Sequence, residues 1–214
     1  MQTFQEIFNT LPADSSNKWS NYFEIYDSFF GPLQEKEVTL LEIGIQNGGS
    51  LTMWQKYFPK GKIYGIDIDE TCKKFEADNI HVYIGDQGKP EFLRKVLSET
   101  GNLDVVVDDG SHIMQDQITS LKTIFPSLTE GGIYLIEDLQ TSYLQAYEGS
   151  YKGENTCLEF LKGLLDNINR QAPRKPDMEC FDTDLQSIHF YENVAVLIKG
   201  KRAEPKQITA GEPL

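Results

Sequence analysis

The sequence predicts an α/β fold: a mostly parallel seven-stranded sheet with helices on both faces and an antiparallel hairpin at its C-terminal end. Three observations predict it. Residues 104–112 read DVVVDDGSH, and three consecutive valines mark a strand buried on both faces, the kind found in parallel sheets covered by helices. Between residues 38 and 136, apolar runs of strand length alternate with stretches of helical periodicity. Residues 186–191 and 194–199 are two further β-rich runs, separated only by Glu192-Asn193, which is the spacing of a tight hairpin.

The chain opens on aromatic residues: Phe4, Phe8, Trp19, Tyr22, Phe23, Tyr26, Phe29 and Phe30. The turn-forming PADSS at 12–16 divides them between two short helices. From Trp19 the spacing 19, 22, 23, 26, 29, 30 draws one helix face, which either docks on the main domain or walls a substrate cleft. Gly31-Pro32 is expected to end that helix. Residues 1–36 are thus read as an N-terminal helical lid or dimerisation segment, 37–200 as the main domain, and 201–214 as a flexible tail.

The first strand, VTLLEI at 38–43, runs into GIQNGGS at 44–50, and helical spacing follows at Leu51, Trp54, Tyr57 and Phe58. Strand, glycine loop and helix form a nucleotide-type unit, in which glycines admit close backbone approach and the helix start offers unpaired N–H groups. Gln46 stands where GxGxG would place a second glycine, so a plain strand-to-helix turn is the alternative. The second strand, KIYGIDI at 62–68, ends in Asp67 with Asp69 close behind, placed ~20 residues past the loop to accept from ribose hydroxyls. The third, IHVYI at 80–84, ends in Gly85-Asp86-Gln87, where a carboxylate and a carboxamide either meet an adenine edge or form a solvated turn.

A helix over 91–97 leads to the valine strand, and a second over 113–128 stops at Thr129-Glu130-Gly131-Gly132. The fifth strand, GIYLI at 132–136, ends in Glu137-Asp138. Neighbouring strands lie ~4.8 Å apart, so Asp108, Asp109, Glu137 and Asp138 crowd one sheet edge and repel one another unless a cation sits among them. Residues 139–152 are polar and tyrosine-rich, a candidate lid; 158–168 form an amphipathic helix; 169–184 are proline-rich and charged, a surface excursion.

Composition narrows the partners. Lys and Arg number 20 against 33 Asp and Glu, for a net charge of -13, which repels phosphate backbones and anionic lipid; neither nucleic acid nor a membrane is expected. Cys72, Cys157 and Cys180 lack the close spacing of a zinc or redox pair and read as reduced intracellular thiols. With no secretory pattern at 1–12 and no apolar run near the ~18 residues of a membrane span, the protein is expected to be soluble and cytoplasmic.

Carboxylate oxygens at the strand tips suit Mg2+, which keeps positions open for substrate oxygens and lowers a bound hydroxyl's pKa. His112 is the candidate base, since His81 falls within a strand and His189 within the hairpin; a loop or capping histidine is the plainer reading. Asp108 either orients a cofactor or caps the next helix. A nicotinamide-dependent oxidoreductase shares the glycine loop and the ribose-binding acid, although the acids would repel a pyrophosphate.

LLEIGIQNGGSLTMW (40–54), YGIDID (64–69), IGDQ (84–87), VDDGSH (107–112), GGIYLIEDLQTSY (131–143) and SIHFYENVAVLIKG (187–200) together resemble the macrolide and antibiotic sugar O-methyltransferases, of the demethylmacrocin and mycinamicin type. NKWSNYFEIYDSFFGPL (17–33) is similar to their lead-in, with Asn17 where aspartate is usual. The mycinamicin-type members carry a large N-terminal domain that has no counterpart in these 214 residues. The resemblance implies a Rossmann-like class I methyltransferase fold, with 37–200 as an S-adenosylmethionine-dependent domain. It implies Mg2+ on Asp109, Glu137 and Asp138, and His112 as the base that deprotonates a sugar hydroxyl. It also implies a cofactor site of Glu42, Gly44, Gln46, Asn47, Gly48, Ser50, Asp67, Asp69, Asp86, Gln87 and Asp108. The acceptor would be a hydroxylated, glycosylated small molecule, and a homo-oligomer is compatible with the aromatic first segment. A non-catalytic S-adenosylmethionine-binding module is the alternative of another class.

Overall fold

The three valines that define the central strand face two different layers. Val106 packs with Leu41, Ile43 and Tyr134 on one side of the sheet, whereas Val105 and Val107 pack with Leu40 and Leu135 on the other. This alternation is the period-two geometry of a strand covered on both faces. The computed structural model describes residues 2–169, 181 and 184–210. Its single seven-stranded sheet consists of β1 (Thr39–Ile43), β2 (Lys62–Asp67), β3 (Ile80–Ile84), β4 (Leu103–Asp108), β5 (Leu128–Ile136), β6 (Leu185–Tyr191) and β7 (Val194–Lys199). The spatial order is β3-β2-β1-β4-β5-β7-β6. Strands β1 to β5 are parallel, and β7 inserts antiparallel between β5 and β6, its hairpin partner.

Helices α1 (Phe4–Phe8), α2 (Tyr22–Phe30) and α3 (Gly49–Tyr57) cover one face; α4 (Pro90–Thr100), α5 (Met114–Ile124) and α6 (Cys157–Ile168) cover the other. The opening aromatic residues complete the first layer. Phe4, Tyr26 and Phe30 are fully buried around Trp54, with ring centroids 5.0, 5.4 and 5.7 Å from the indole. Aromatic pairs at these distances add to the area they bury.

Several boundaries differ from expectation, each for a local reason. Trp19 is off the aromatic stripe: the helix begins at Tyr22, and Trp19 is 58% exposed. The α-helix ends at Phe30 as expected, with Gly31 as its C-cap; Gly31 keeps right-handed angles, and one 3-10 turn to Leu33 follows. Strand β5 starts at Leu128, which pairs with Leu103 of β4; the register then shifts, Val105 pairing with Ile133, so that the residues read as a helix stop form the irregularity between, where Gly131 takes φ +80°. Residues 139–152, the candidate lid, bring Tyr147 to 6.0 Å from the His112 ring, centroid to centroid. They fold back in two 3-10 turns, burying Leu139, Thr141 and Ser142, and none of them lines the cavities described below.

Cys72 and Cys157 are buried free thiols. Cys180, most of the expected surface excursion (170–180 and 182–183) and the last four residues of the expected tail lie outside the described residues. Among those described, no helix is long and apolar enough to cross a membrane.

Candidate active site at the strand tips

Strand order reverses between β1 and β4, and in open α/β sheets that reversal leaves a crevice at the carboxyl ends of the strands. The two tips come very close here. Gly44 has φ +95°, and a Cβ there would lie 2.0 Å from the Asp109 carbonyl oxygen, so only glycine fits. The ladder runs one residue past each strand, with Asp109 N–H donating to Ile43 at 2.9 Å and Glu137 N–H to Asp108 at 3.0 Å. The acidic residues are thereby fixed by backbone rather than carried on a loose loop.

A cavity of about 620 Å³ opens over these tips. Gly44, Gln46, Asn47 and Ser50 of the glycine loop line it, together with Asp67, Asp69, Asp86, Gln87, Asp109, His112 and Asp138. A second cavity of about 420 Å³ adjoins it, lined by Asn17, Lys18, Trp19, Tyr22, Asp109, Glu137 and Asp138. Asp109 and Asp138 border both.

His112 stands in the left-handed region at φ +56°, which turns its ring back toward the tips. Its Nε2 is 3.7 Å from Asp109 Oδ1 and 3.7 Å from Asp138 Oδ2, too far for a hydrogen bond. Its Nδ1 is buried without a partner. Asp109, His112 and Asp138 each offer one ligand atom within 4.8 Å of the others. The other oxygens of these acids are engaged: Lys18 Nζ donates to Asp109 Oδ2 at 2.5 Å, and Tyr22 donates its hydroxyl to Asp138 Oδ1 at 2.6 Å. One oxygen of each carboxylate thus faces a common space, a donor set that fits a hard divalent cation.

No family model matches the chain. The 8-demethyl-8-alpha-L-rhamnosyl tetracenomycin-C 2'-O-methyltransferase of Streptomyces olivaceus is 38% identical over 197 residues, covering 86% of this chain and 52% of that protein. Mycinamicin VI 2''-O-methyltransferase of Micromonospora griseorubida is 37% identical over 192 residues, covering 84% and 48%. A solved MycE methyltransferase from the mycinamycin biosynthetic pathway, in complex with Mg and SAH, superposes with a TM-score of 0.85 at 33% identity, covering 94% of this chain and 55% of that one. The chain is a homologue of these sugar O-methyltransferases. It spans about half the length of the curated relatives it matches. Its fold is the class I methyltransferase fold, with the antiparallel β7 in the sheet.

Within this O-methyltransferase homologue, three residues expected at the cofactor site stand behind its wall. Glu42 is fully buried and accepts from Ser50 Oγ at 2.7 Å and Trp54 Nε1 at 2.9 Å, tying β1 to α3. Burial pushes its carboxyl up to about 7, against the Lys18 charge and those two hydrogen bonds. Gly48 gives the left-handed turn into α3 without lining the cavity. Asp108 shares the face of Val106, away from the tip cluster, and accepts from Tyr134 at 3.0 Å and Gln87 Nε2 at 3.1 Å. Burial raises its carboxyl to about 7. Gln87 Oε1 in turn accepts from Ser111 N–H at 2.6 Å, so Asp108 positions the turn that carries His112.

The expected crowd of four carboxylates is therefore divided. Asp108 is turned away, and Glu137 is buried against Lys18 Nζ at 2.8 Å and the Tyr26 hydroxyl. Lys18 was not anticipated from the sequence, because it lies in a stretch without periodicity. It reaches the tips because residues 14–18 run across the glycine loop: Gly49 N–H donates to Ser15 at 3.0 Å and Asn47 Nδ2 to Asp14 at 3.1 Å. Burial alone would lower its ammonium, but the charges of Glu137 and Asp109 outweigh that and hold it above its ordinary value.

Proposed function

We propose that the chain forms the S-adenosylmethionine- and Mg2+-dependent methyltransferase unit of an enzyme that methylates a sugar hydroxyl on a glycosylated small molecule. The observation that carries this reading is that Asp109 and Asp138 border two cavities at once, one walled by the glycine loop and one open beside Trp19. A methyl donor on one side and an acceptor on the other would meet between them. The names of the relatives, which methylate rhamnosyl and macrolide acceptors, and a MycE structure holding Mg, SAH and mycinamycin VI support the same reading.

In this reading S-adenosylmethionine is the methyl-donating substrate of the larger cavity. Asp67 accepts from its ribose hydroxyls, Asp86 and Gln87 meet the adenine, and the 44–50 backbone closes on the remainder. Asp109 and Asp138 would hold Mg2+ through the oxygens that face the common space, and Glu137, expected as a third ligand, would give its charge from behind Lys18 and Tyr26, which engage both of its oxygens. When bound, the ion lowers the pKa of the acceptor hydroxyl and screens the acids from one another. His112 takes the hydroxyl proton at Nε2, the ring nitrogen that faces Asp109 and Asp138. Catalysis is then mostly alignment of the hydroxyl oxygen with the sulfonium methyl. Residues 1–36 serve as a helical cover over the acceptor side, through Trp19 and Tyr22.

The test is methyl transfer to rhamnosylated polyketides and macrolide glycosides, followed by mass spectrometry with Mg2+ and with chelator. Methylated product in Mg2+ alone is the expected result. Equal turnover in chelator would remove the metal, and no S-adenosylmethionine binding by calorimetry would remove the reading altogether.

A further inference from the structure

Lys18 is a buried cation in a cluster that is otherwise acidic. Its Nζ lies between two strand tips, 2.5 Å from Asp109 and 2.8 Å from Glu137, with 3% of the side chain exposed. It does not arrive there by default: its strap is fastened to the glycine loop through Ser15 and Gly49, where a Cβ on Gly49 would lie 2.4 Å from the Ser15 carbonyl oxygen. Around the cluster stand the hydroxyls of Tyr22 on Asp138 and Tyr26 on Glu137 and the ring of His112, with the buried Glu42 carboxyl behind Lys18, tied to Ser50 and Trp54.

We infer that Lys18 is a permanent positioning residue that balances the charge of the metal site and sets its preference for a divalent ion. Burial and the Asp109 charge push the Glu137 carboxyl up, and a divalent ion beside it would offset that; Asp109, Glu137 and Asp138 would then carry three negative charges, against a His112 that starts neutral. Lys18 cancels one charge. The two that remain match a divalent cation, so the three acids, Lys18 and the ion together would be electrically neutral. Lys18 holds the inner oxygens, Asp109 Oδ2 and Glu137 Oε2, while Asp109 Oδ1 and Asp138 Oδ2 face the open space. Ammonium and metal ion thus use different oxygens, and neither needs to leave for the other.

This rests on the Mg2+ reading above, and the experiment separates the two. Tyrosine-sensitised terbium luminescence, with Mg2+ as competitor, gives the affinity of each ion for the native chain, Lys18→Met and Lys18→Arg. Removing the ammonium should raise the preference for the trivalent over the divalent ion by about tenfold or more, and Lys18→Arg should restore the native ratio. An unchanged ratio in Lys18→Met overturns the inference while leaving the Mg2+ reading intact. No binding of either ion by the native chain overturns both. An amine-reactive reagent on the native chain decides the question independently of any variant's folding. Lys18 should stay protected in Mg2+ and in chelator alike, and labelling that rises on addition of Mg2+ would show a displaced lysine and overturn it.

Discussion

Asp67 anchors Ile45 across the mouth of the larger cavity: one oxygen of the carboxylate accepts the Ile45 N–H at 2.8 Å and the Gln46 N–H at 3.0 Å, while the other accepts the Asp69 N–H at 2.9 Å. The residue expected to hold a ribose also holds the glycine loop in shape. Burial opposes the charged form, but the three N–H groups outweigh it and keep the carboxyl below the usual range. Its stabilising effect is complete above the ordinary carboxylate pKa, ~3.9, and is lost as pH falls through the lower folded value. Asp67→Asn should flatten that acid limb in thermal melts and weaken S-adenosylmethionine binding about tenfold or more; unaltered affinity would confine Asp67 to a structural role.

Glu42 has the opposite sign. Its folded carboxyl titrates near 7, above the unfolded value, so the protein gives up stability as pH rises from about 4 toward 8. Glu42→Gln keeps an acceptor for Trp54 and removes the buried charge. At pH 8 it should be the more stable protein by up to roughly 3 kcal/mol, with the gain vanishing near pH 4. A variant less stable than the native chain at pH 8 would mean that the Trp54 and Ser50 hydrogen bonds outweigh the cost of burying the charge.

His112 can be separated from the acids that flank it. His112→Gln is expected to lose about 10²- to 10⁴-fold in methyl transfer with Mg2+ binding retained, as for a base that takes a proton without coordinating the ion. Asp109→Asn is expected to lose Mg2+ binding while keeping S-adenosylmethionine binding within a few-fold. Calorimetry with each ligand reads both effects. A large fall in Mg2+ affinity for His112→Gln would assign the imidazole to the metal.

Gly44 is the point where two strand tips touch. Gly44→Ala would place its methyl against the Asp109 backbone and force alanine to φ +95°. A loss of more than about 2 kcal/mol in chemical denaturation is expected, together with loss of cofactor binding. A stable variant that still binds would show that the tips have more freedom than their packing implies.

The sheet was legible because its signals are local. The valines of β4, the glycine loop and the Glu192-Asn193 turn each fix structure within a few residues, and parallel strands separated by helices leave few arrangements. Asp108 could also have been placed from the sequence, since a residue two positions after Val106 shares its face. Lys18 could not. Its position depends on a strap held by Ser15 and Asp14 against residues more than thirty positions away, and no periodic pattern records such contacts. The start of β5 differs for a related reason: Thr129-Glu130-Gly131-Gly132 reads as a stop, whereas a strand can carry such an irregularity between Leu128 and Ile133, both of which pair with β4.

The Lys18–Glu137 pair spans 119 residues of chain. On a ribosome adding about 5–20 residues per second, roughly 6 to 24 seconds separate the two residues. Through that interval the aromatic residues of α1 and α2 have been made, but the strand tip that neutralises the lysine between them and the sheet has not. Lys18 is therefore made well before the strand tip it pairs with, and the cluster of Asp109, Glu137 and Lys18 is complete only when the two ends of this interval close on each other.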